Sequence, residues 1–122
     1  MNALVADDNA VCRDVAAAQL SLLGFQVTTA TDGDDALAAI GRHGRFDLIL
    51  VDWSMSPKNG YELIREVRAL PDAQRTCIFL WTGDPTQERR DAAIHSGANA
   101  VLPKPFALRE LACHLAQLGF RS

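Results

Sequence analysis

The stretch FDLILVDW, residues 46–53, is an apolar run that ends on a single carboxylate, Asp52. Its aliphatic residues suit a strand that is buried on both faces, as in the middle of a parallel sheet. A carboxylate at the end of such a run costs free energy unless it contacts water, a metal or a cation. One interpretation places Asp52 at the carboxyl end of a central strand, where open α/β sheets bind their ligands. The alternative is a loop aspartate that caps the next turn, and the rest of the chain favours the first interpretation.

Length and composition predict one cytoplasmic domain over residues 1–122, without a nucleic-acid or membrane partner. A chain of 122 residues can bury one hydrophobic core. The net charge is −3, and no block of lysine or arginine indicates contact with nucleic acid or a membrane surface. Cys12, Cys77 and Cys113 are far apart, which favours small core residues in a reducing compartment over a disulfide framework or a zinc site. The sequence contains neither a signal peptide nor an apolar run long enough to cross a bilayer.

Apolar periodicity predicts five strands that alternate with five helices. The strands cover residues 2–6, 25–30, 46–53, 76–82 and 98–102. The helices cover residues 10–23, 33–40 after a cap at Asp32, 60–70, 87–96 and 108–118. In the first helix we expect a buried stripe made of Val11, Val15, Ala18 and Leu22. The alternation predicts a doubly wound α/β sandwich with a parallel sheet, right-handed crossovers and helices on both faces.

Polar side chains follow four of the five predicted strands. They are Asp7 and Asp8 after the first strand, Asp52 at the third, Thr82 at the fourth and Lys104 after the fifth. Because the carboxyl ends of parallel strands lie along one edge of the sheet, we expect these side chains to meet there. Neighbouring carboxylates raise one another's pKa, and one lysine does not offset three of them. The site therefore calls for a bound cation.

A hard divalent cation fits this set of ligands best. Mg²⁺ prefers octahedral oxygen ligation and usually binds one or two carboxylates, waters and a phosphate; Mn²⁺ is the alternative ion. No histidine or cysteine lies at these strand ends, which argues against zinc. Beside such a cation, Asp52 is a candidate phosphoryl acceptor. Its carboxylate would attack as the nucleophile, while the Lys104 ammonium neutralises phosphoryl oxygens and the Thr82 hydroxyl donates a hydrogen bond to one of them.

Taken in order and at these separations, the residues resemble the receiver domain of two-component response regulators, including the chemotaxis regulators. The resemblance runs from Ala3 to Leu118 and extends to Met55 and Gly60 in the loop after Asp52. It implies a flavodoxin-like sheet with the strand order 2-1-3-4-5. It also implies a phosphorelay protein that catalyses only its own phosphorylation and dephosphorylation, and that is not otherwise an enzyme.

The same resemblance implies a role for each polar residue at the metal. Asp52 would be the phosphoacceptor and a metal ligand. Asp8 would bind Mg²⁺ directly and Asp7 at least through water. The backbone carbonyl of Trp53 would complete the ligands that the protein supplies.

On the phosphate side, the resemblance makes Thr82 the switch hydroxyl and Lys104 the lysine that pairs with phosphate, with a cis bond to Pro105. The phosphodonor would be a histidine kinase or a histidine phosphotransfer protein. A downstream protein target or output domain would contact the surface of the fourth helix, fifth strand and fifth helix. The domain would be a monomer or a phosphorylation-dependent dimer.

The chain departs from the family pattern at three places. Val101 stands where the family usually has an aromatic residue that turns inward when the threonine moves, and valine is stiff about χ1. Rotation of the Trp81 or Phe106 ring is a candidate substitute. Proline follows Ser56 instead of occupying its position, which changes the residue whose φ is restrained. Ser54 and Asp84 occupy the two variable positions that tune phosphate loss in the family.

Other charged residues have simpler interpretations. Arg89 and Arg90 in the fourth predicted helix are expected on a solvated face, with a partner or dimer contact as the alternative. His43, His95 and His114 are expected to be surface or half-buried residues, because none of them lies at the strand-end edge.

Three functions are compatible with the sequence. The first, a phosphoaccepting switch, is favoured because all five polar residues are present. The second is a receiver-like interaction module that no longer accepts phosphate. The third is a Mg²⁺-dependent phosphohydrolase with an aspartyl nucleophile. Such enzymes usually have a second acid two residues after the nucleophile, where this chain has Ser54, and a cap for which no segment remains.

Overall fold

The apolar stretch that ends on Asp52 forms the central strand of a five-stranded parallel sheet. A computed structural model describes residues 1–71, 73–104 and 106–119. The strands are β1 (Asn2–Ala6), β2 (Gln26–Ala30), β3 (Leu48–Asp52), β4 (Cys77–Thr82) and β5 (Ala100–Pro103). They pair in the order β2-β1-β3-β4-β5, so the predicted strand order is confirmed. Every residue of β3 is buried, because β1 and β4 flank it and helices cover both faces.

In the described part of the chain five helices each follow one strand, and the first four of them connect it to the next strand. They are α1 (Ala10–Leu22), α2 (Gly33–His43), α3 (Gly60–Arg68), α4 (Gln87–Ser96) and α5 (Leu108–Gln117). One half of the core lies beneath α1 and α5 and contains Leu20, Phe79 and Leu111. The other half lies beneath α2, α3 and α4 and contains Ile49, Leu63 and Leu80. The predicted doubly wound sandwich is therefore confirmed.

Local side-chain hydrogen bonds set where four of the helices begin. The side chains of Asn9, Asp32, Asn59 and Thr86 each accept a hydrogen bond from a backbone N–H in the first turn of α1, α2, α3 and α4. Such caps satisfy donors that have no partner within the helix. Because each cap lies between a strand end and the helix that follows, it also fixes the loop that forms the polar edge of the sheet.

The prediction for the buried face of α1 was wrong. Val11, Val15 and Leu22 are 72%, 51% and 75% exposed, whereas Ala16 and Leu20 are fully buried. Helical periodicity permits two adjacent apolar stripes on this helix, and packing beneath α1 selects the one that contains Ala16 and Leu20. The exposed residues Val11 and Val15 therefore form an apolar surface on α1, in a groove that also contains Lys104.

Smaller corrections concern bounds and single residues. β3 begins at Leu48 rather than at 46, and β5 begins at Ala100 rather than at 98. Cys113 is exposed rather than a core residue, whereas Cys12 and Cys77 pack against the core. His43 and His95 are exposed and His114 is half-buried, as expected. No helix within residues 1–71, 73–104 and 106–119 has the length and apolar character needed to cross a membrane.

Candidate functional site

The carboxyl edge of the sheet brings the predicted side chains together. Lys104, just after β5, places its Nζ 3.0 Å from Oδ1 of Asp52 and 2.8 Å from Oδ2 of Asp7. Asp7 is fully buried and Asp52 is 4% exposed. Two buried carboxylates at the ends of the adjacent strands β1 and β3 therefore share one ammonium group, which reaches them from the end of β5 across β4.

Asp8 completes a cluster of three carboxylates. One oxygen from each of Asp7, Asp8 and Asp52 lies within 4.8 Å of the others, and Asp8 is exposed. Oδ1 of Asp7 accepts a hydrogen bond of 2.9 Å from the backbone N–H of Asn9. Oδ2 of Asp7 is buried, and the Lys104 ammonium contacts it at 2.8 Å. Three carboxylates that face one ammonium group, with oxygen as the only ligand atom, fit a hard divalent cation.

Burial raises the pKa of Asp52 from its ordinary value of 3.8 to about 6, with a smaller increase from the charge of Asp7 and an opposing effect of Lys104. Burial by itself lowers the pKa of Lys104, but its hydrogen bonds and charge interactions with Asp7 and Asp52 outweigh that effect and raise the pKa overall. Lys104 therefore carries its positive charge at neutral pH, and Asp52 is largely ionised there.

An aromatic pair also lies next to Lys104. Its Nζ lies 4.5 Å from the centroid of the Trp81 ring. Trp81 is 3% exposed and packs on Phe106, with ring centroids 5.4 Å apart. A cation over an indole face is stabilised by about 0.5–2 kcal/mol. Both rings therefore position the lysine at the strand ends, a role that the sequence alone did not indicate.

Thr82, the last residue of β4, is buried and bound by two donors. Its Oγ1 accepts a hydrogen bond of 3.2 Å from the backbone N–H of Asp84 and one of 3.3 Å from Nη1 of Arg89. The Arg89 guanidinium also stacks on Trp53, with Cζ 3.7 Å from the ring centroid. The predicted solvated face was therefore wrong for Arg89, whereas Arg90 is exposed. The Thr86 cap could have suggested this, since it places residue 89 in the first turn of α4, near the end of β4.

The loop after Asp52 turns close to the site. A Cβ atom on Gly60 would lie 2.7 Å from the carbonyl oxygen of Asp52, so only glycine fits there. The Trp53 carbonyl accepts a hydrogen bond of 2.9 Å from the Gly60 N–H, which leaves one lone pair for another ligand. The bond between Ser56 and Pro57 is cis. The predicted cis bond between Lys104 and Pro105 lies outside the described residues.

Comparison with known proteins identifies the family. The model of the response regulator receiver domain matches residues 3–116. The chain belongs to this family. As a receiver domain of two-component systems it is a signalling domain, and the carboxylate cluster described above lies in its acidic pocket.

Two curated relatives contain a region similar to this receiver domain. Sensor protein EvgS of Escherichia coli (strain K12) is 34% identical over 120 residues, which are 97% of this chain and 10% of that protein. Response regulator MprA of Mycobacterium leprae is 34% identical over 118 residues, which are 97% of this chain and 50% of that protein. The chain therefore spans half or less of the length of these relatives.

Solved structures share the fold of this receiver domain. Chemotaxis protein CheY4 of Vibrio cholerae has a TM-score of 0.89 and 31% identity, covering 96% of this chain and 97% of that chain. The receiver domain of sensor histidine kinase PA1611 from Pseudomonas aeruginosa has a TM-score of 0.86 and 33% identity, covering 98% of both chains. The latter structure has a magnesium ion coordinated in its active site cleft.

Proposed function

We propose that this receiver domain, a single domain over residues 1–122, is a phosphoaccepting switch in which Asp52 takes a phosphoryl group from a histidine kinase or a histidine phosphotransfer protein. The observation that carries the proposal is the placement of Asp52, buried at the end of the central strand, 3.0 Å from the Lys104 ammonium and within the cluster of three carboxylates. A buried carboxylate that faces both a cation and other acids is typical of a reactive site.

The transfer uses Asp52 as a nucleophile. A carboxylate oxygen forms a bond to phosphorus as the P–N bond of the phosphohistidine donor breaks. The electron pair of that bond stays on the imidazole nitrogen, which then takes up a proton. Lys104 supports this step because it favours the ionised form of Asp52 and lies where phosphoryl oxygens would carry negative charge.

The metal ligands would be Asp7, Asp8 and Asp52 with the backbone carbonyl of Trp53. Bound Mg²⁺, or Mn²⁺ in its place, would supply positive charge that offsets the carboxylates and the phosphoryl group. The approach of the three carboxylates to within 4.8 Å of one another and the second lone pair of the Trp53 carbonyl support this assignment. Thr82 would donate its hydroxyl proton to a phosphoryl oxygen.

The phosphodonor would dock on the apolar surface of α1. Val11 and Val15 are exposed and line a groove of about 300 Å³ together with Trp81, Lys104 and Phe106. Exposed apolar side chains next to the reactive edge suit a protein partner rather than water. A docked donor would therefore meet Lys104 and Asp52 at the end of the groove.

A protein target or output domain would bind the surface of α4, β5 and α5 after phosphorylation. The receiver domain itself would be a monomer or a phosphorylation-dependent dimer. Ile94 on α4 is 52% exposed, and Leu108 and Leu118 near α5 are 36% and 40% exposed. These apolar side chains support a protein-binding role for that surface. The free cysteines among the described residues suit a reducing, cytoplasmic setting. We expect no catalysis beyond the domain's own phosphorylation and dephosphorylation.

Labelling with acetyl phosphate tests the proposal. The wild-type protein with Mg²⁺ should acquire an alkali-labile phosphoryl group, and neither a chelator-treated sample nor Asp52→Asn should acquire one. Asp14→Asn is the matched control, because Asp14 is an exposed carboxylate on α1; it should be labelled like the wild type. Absence of label from the wild type would indicate an interaction module. Steady hydrolysis of a small phosphate ester would indicate a phosphohydrolase instead.

A further inference from the structure

Arg89 connects the site to α4, and it has no role in the proposed phosphoryl transfer. Its side chain is 20% exposed, although arginine is usually solvated. Its Nη1 atom donates to Oγ1 of Thr82 at 3.3 Å and to the carbonyl of Asp84 at 3.2 Å, while the guanidinium covers the face of the Trp53 ring. The Tyr61 hydroxyl in turn donates to the backbone carbonyl of Arg89 at 3.3 Å. Arg89 therefore joins the end of β4 and the loop after β3 to the first turn of α4.

The hydrogen bonds of Thr82 leave its own proton available. A hydroxyl has two lone pairs and one proton. In this structure both acceptor positions are used, one by the Asp84 N–H and one by Arg89. When Thr82 rotates to donate that proton to a phosphoryl oxygen, its Oγ1 atom moves. The hydrogen bond from Arg89 then breaks unless the guanidinium moves with Oγ1.

The contacts of Arg89 are weak enough to change. Its two hydrogen bonds go to neutral oxygens at 3.2 and 3.3 Å, near the long end of the usual range, and its ion pair with Asp84 is 3.7 Å long with an exposed carboxylate. A phosphoryl group brings about −1.5 to −2 charges and strong acceptor oxygens. A charge of that size next to Thr82 competes effectively with neutral partners for the threonine and for the guanidinium.

The aromatic rings suggested by the sequence lie on the wrong face for this role. Side chains alternate along a strand, so Thr82 points to the same face of β4 as Leu80, which packs beneath α2, α3 and α4. Trp81 and Phe106 pack in the opposite half of the core. Val101 lies on the same face as Thr82 but is buried and has no large ring to move. Among these residues only Arg89 both contacts the threonine and belongs to α4.

We propose that Arg89 is the positioning residue that couples Thr82 to α4. In the unphosphorylated protein it holds the threonine hydroxyl and keeps the first turn of α4 against Trp53. Movement of Thr82 toward the phosphoryl group releases this contact and loosens the first turn of α4. The inference rests on the proposed phosphorylation of Asp52 and adds the route by which that event changes the α4 surface.

Amide hydrogen exchange across α4 tests the coupling, measured with Mg²⁺ alone and then with Mg²⁺ and beryllofluoride. In the wild type, beryllofluoride should raise exchange in the first turn of α4 by about fivefold, the factor expected for loss of one net hydrogen bond. Arg89→Gln should show the raised rate with Mg²⁺ alone and little further response. Arg89→Lys keeps the charge without the planar fork, so its response should be intermediate.

Arg90→Gln is the matched control. Arg90 is the next residue, is exposed and donates to the carbonyl of Pro85 at 3.1 Å, so this variant should respond like the wild type. A second readout is the emission of Trp53 in a Trp81→Phe background, which keeps an aromatic ring next to Lys104 and is used only after acetyl phosphate is shown to label it like the wild type. Beryllofluoride should shift that emission when Arg89 is present, and the shift should be lost in Arg89→Gln because the cation no longer covers the ring.

Labelling by acetyl phosphate separates the outcomes. The coupling is supported if the Arg89→Gln protein is labelled but hydrogen exchange in its α4 no longer changes with beryllofluoride. A labelled Arg89→Gln whose α4 responds like the wild type overturns the coupling and leaves the proposed function standing. An unlabelled Arg89→Gln also overturns it, because Arg89 would then act in phosphate uptake. A wild type without label or response overturns the proposed function and this inference together.

Discussion

Nζ of Lys104 donates a hydrogen bond of 3.0 Å to Oδ1 of Asp52, although the two residues are 52 positions apart in the chain. The contact exists because β4 lies between β3 and β5, so that the loop after β5 reaches across the end of β4. It places a permanent positive charge where the proposed chemistry adds a negative one. Removal of either partner therefore has consequences that can be measured separately.

Lys104→Ala should separate metal binding from signalling. The three carboxylates remain, so Mg²⁺ binding should be largely intact. Loss of the ammonium removes the phosphate partner and should weaken the response of α4 to beryllofluoride. Isothermal titration with Mg²⁺ and hydrogen exchange across α4 measure the two effects. Lys58→Ala is the matched control, since Lys58 pairs with Asp34 and Glu66 instead. An α4 response equal to that of the wild type would contradict a coupling role for Lys104.

Asp52→Asn should stabilise the metal-free protein at neutral pH. The pKa of Asp52 is raised from 3.8 to about 6 by burial, so the folded protein binds this proton more tightly than the unfolded chain. Ionisation of Asp52 therefore costs folding free energy; the cost is absent below about pH 4, grows up to about pH 6 and is fully present above it. We expect Asp52→Asn to unfold with a free energy higher by ~1–3 kcal/mol at pH 7, and the difference to shrink toward pH 4.

Urea unfolding in the presence of a chelator measures this difference. Asp14→Asn removes an exposed carboxylate and should remain within about 0.5 kcal/mol of the wild type at both pH values. Wild-type and Asp52→Asn stabilities that run parallel from pH 4 to pH 7 would show that burial does not raise the pKa of Asp52.

Gly97→Ala should destabilise the fold by ~1–3 kcal/mol, because this glycine ends α4 in the left-handed region with φ at +117°. An added Cβ would also lie 2.7 Å from Cγ of Arg68, whose guanidinium binds the carbonyls of Gly97, Ala73 and Thr76. Gly41→Ala is the contrasting variant: it lies within α2 in open space, and it should stabilise the protein by ~0.5–1 kcal/mol. Urea unfolding of both variants checks the opposite signs.

Much of the site could be predicted from residue patterns along the chain. Alternating apolar periods define strands and helices, and a parallel sheet places every strand end on one edge. It follows that Asp7, Asp52 and Lys104 would meet, and the structure brings their side chains together. Thr82 lies beside them through its backbone, whose carbonyl accepts a hydrogen bond of 2.9 Å from the Lys104 N–H. The prediction succeeded because it needed only the order of the elements and the polar residue at each strand end.

Tertiary packing decided the features that periodicity leaves ambiguous. The sequence by itself determined the five alternating strand–helix pairs and the polar edge, since these depend on local apolar spacing and capping residues. It did not determine which stripe of α1 is buried, because two adjacent stripes are apolar and burial depends on what lies beneath the helix. Nor did it place Arg89 on Trp53, since that contact depends on how α4 packs beside the loop after β3. Both features depend on relative positions of elements, which no local pattern encodes.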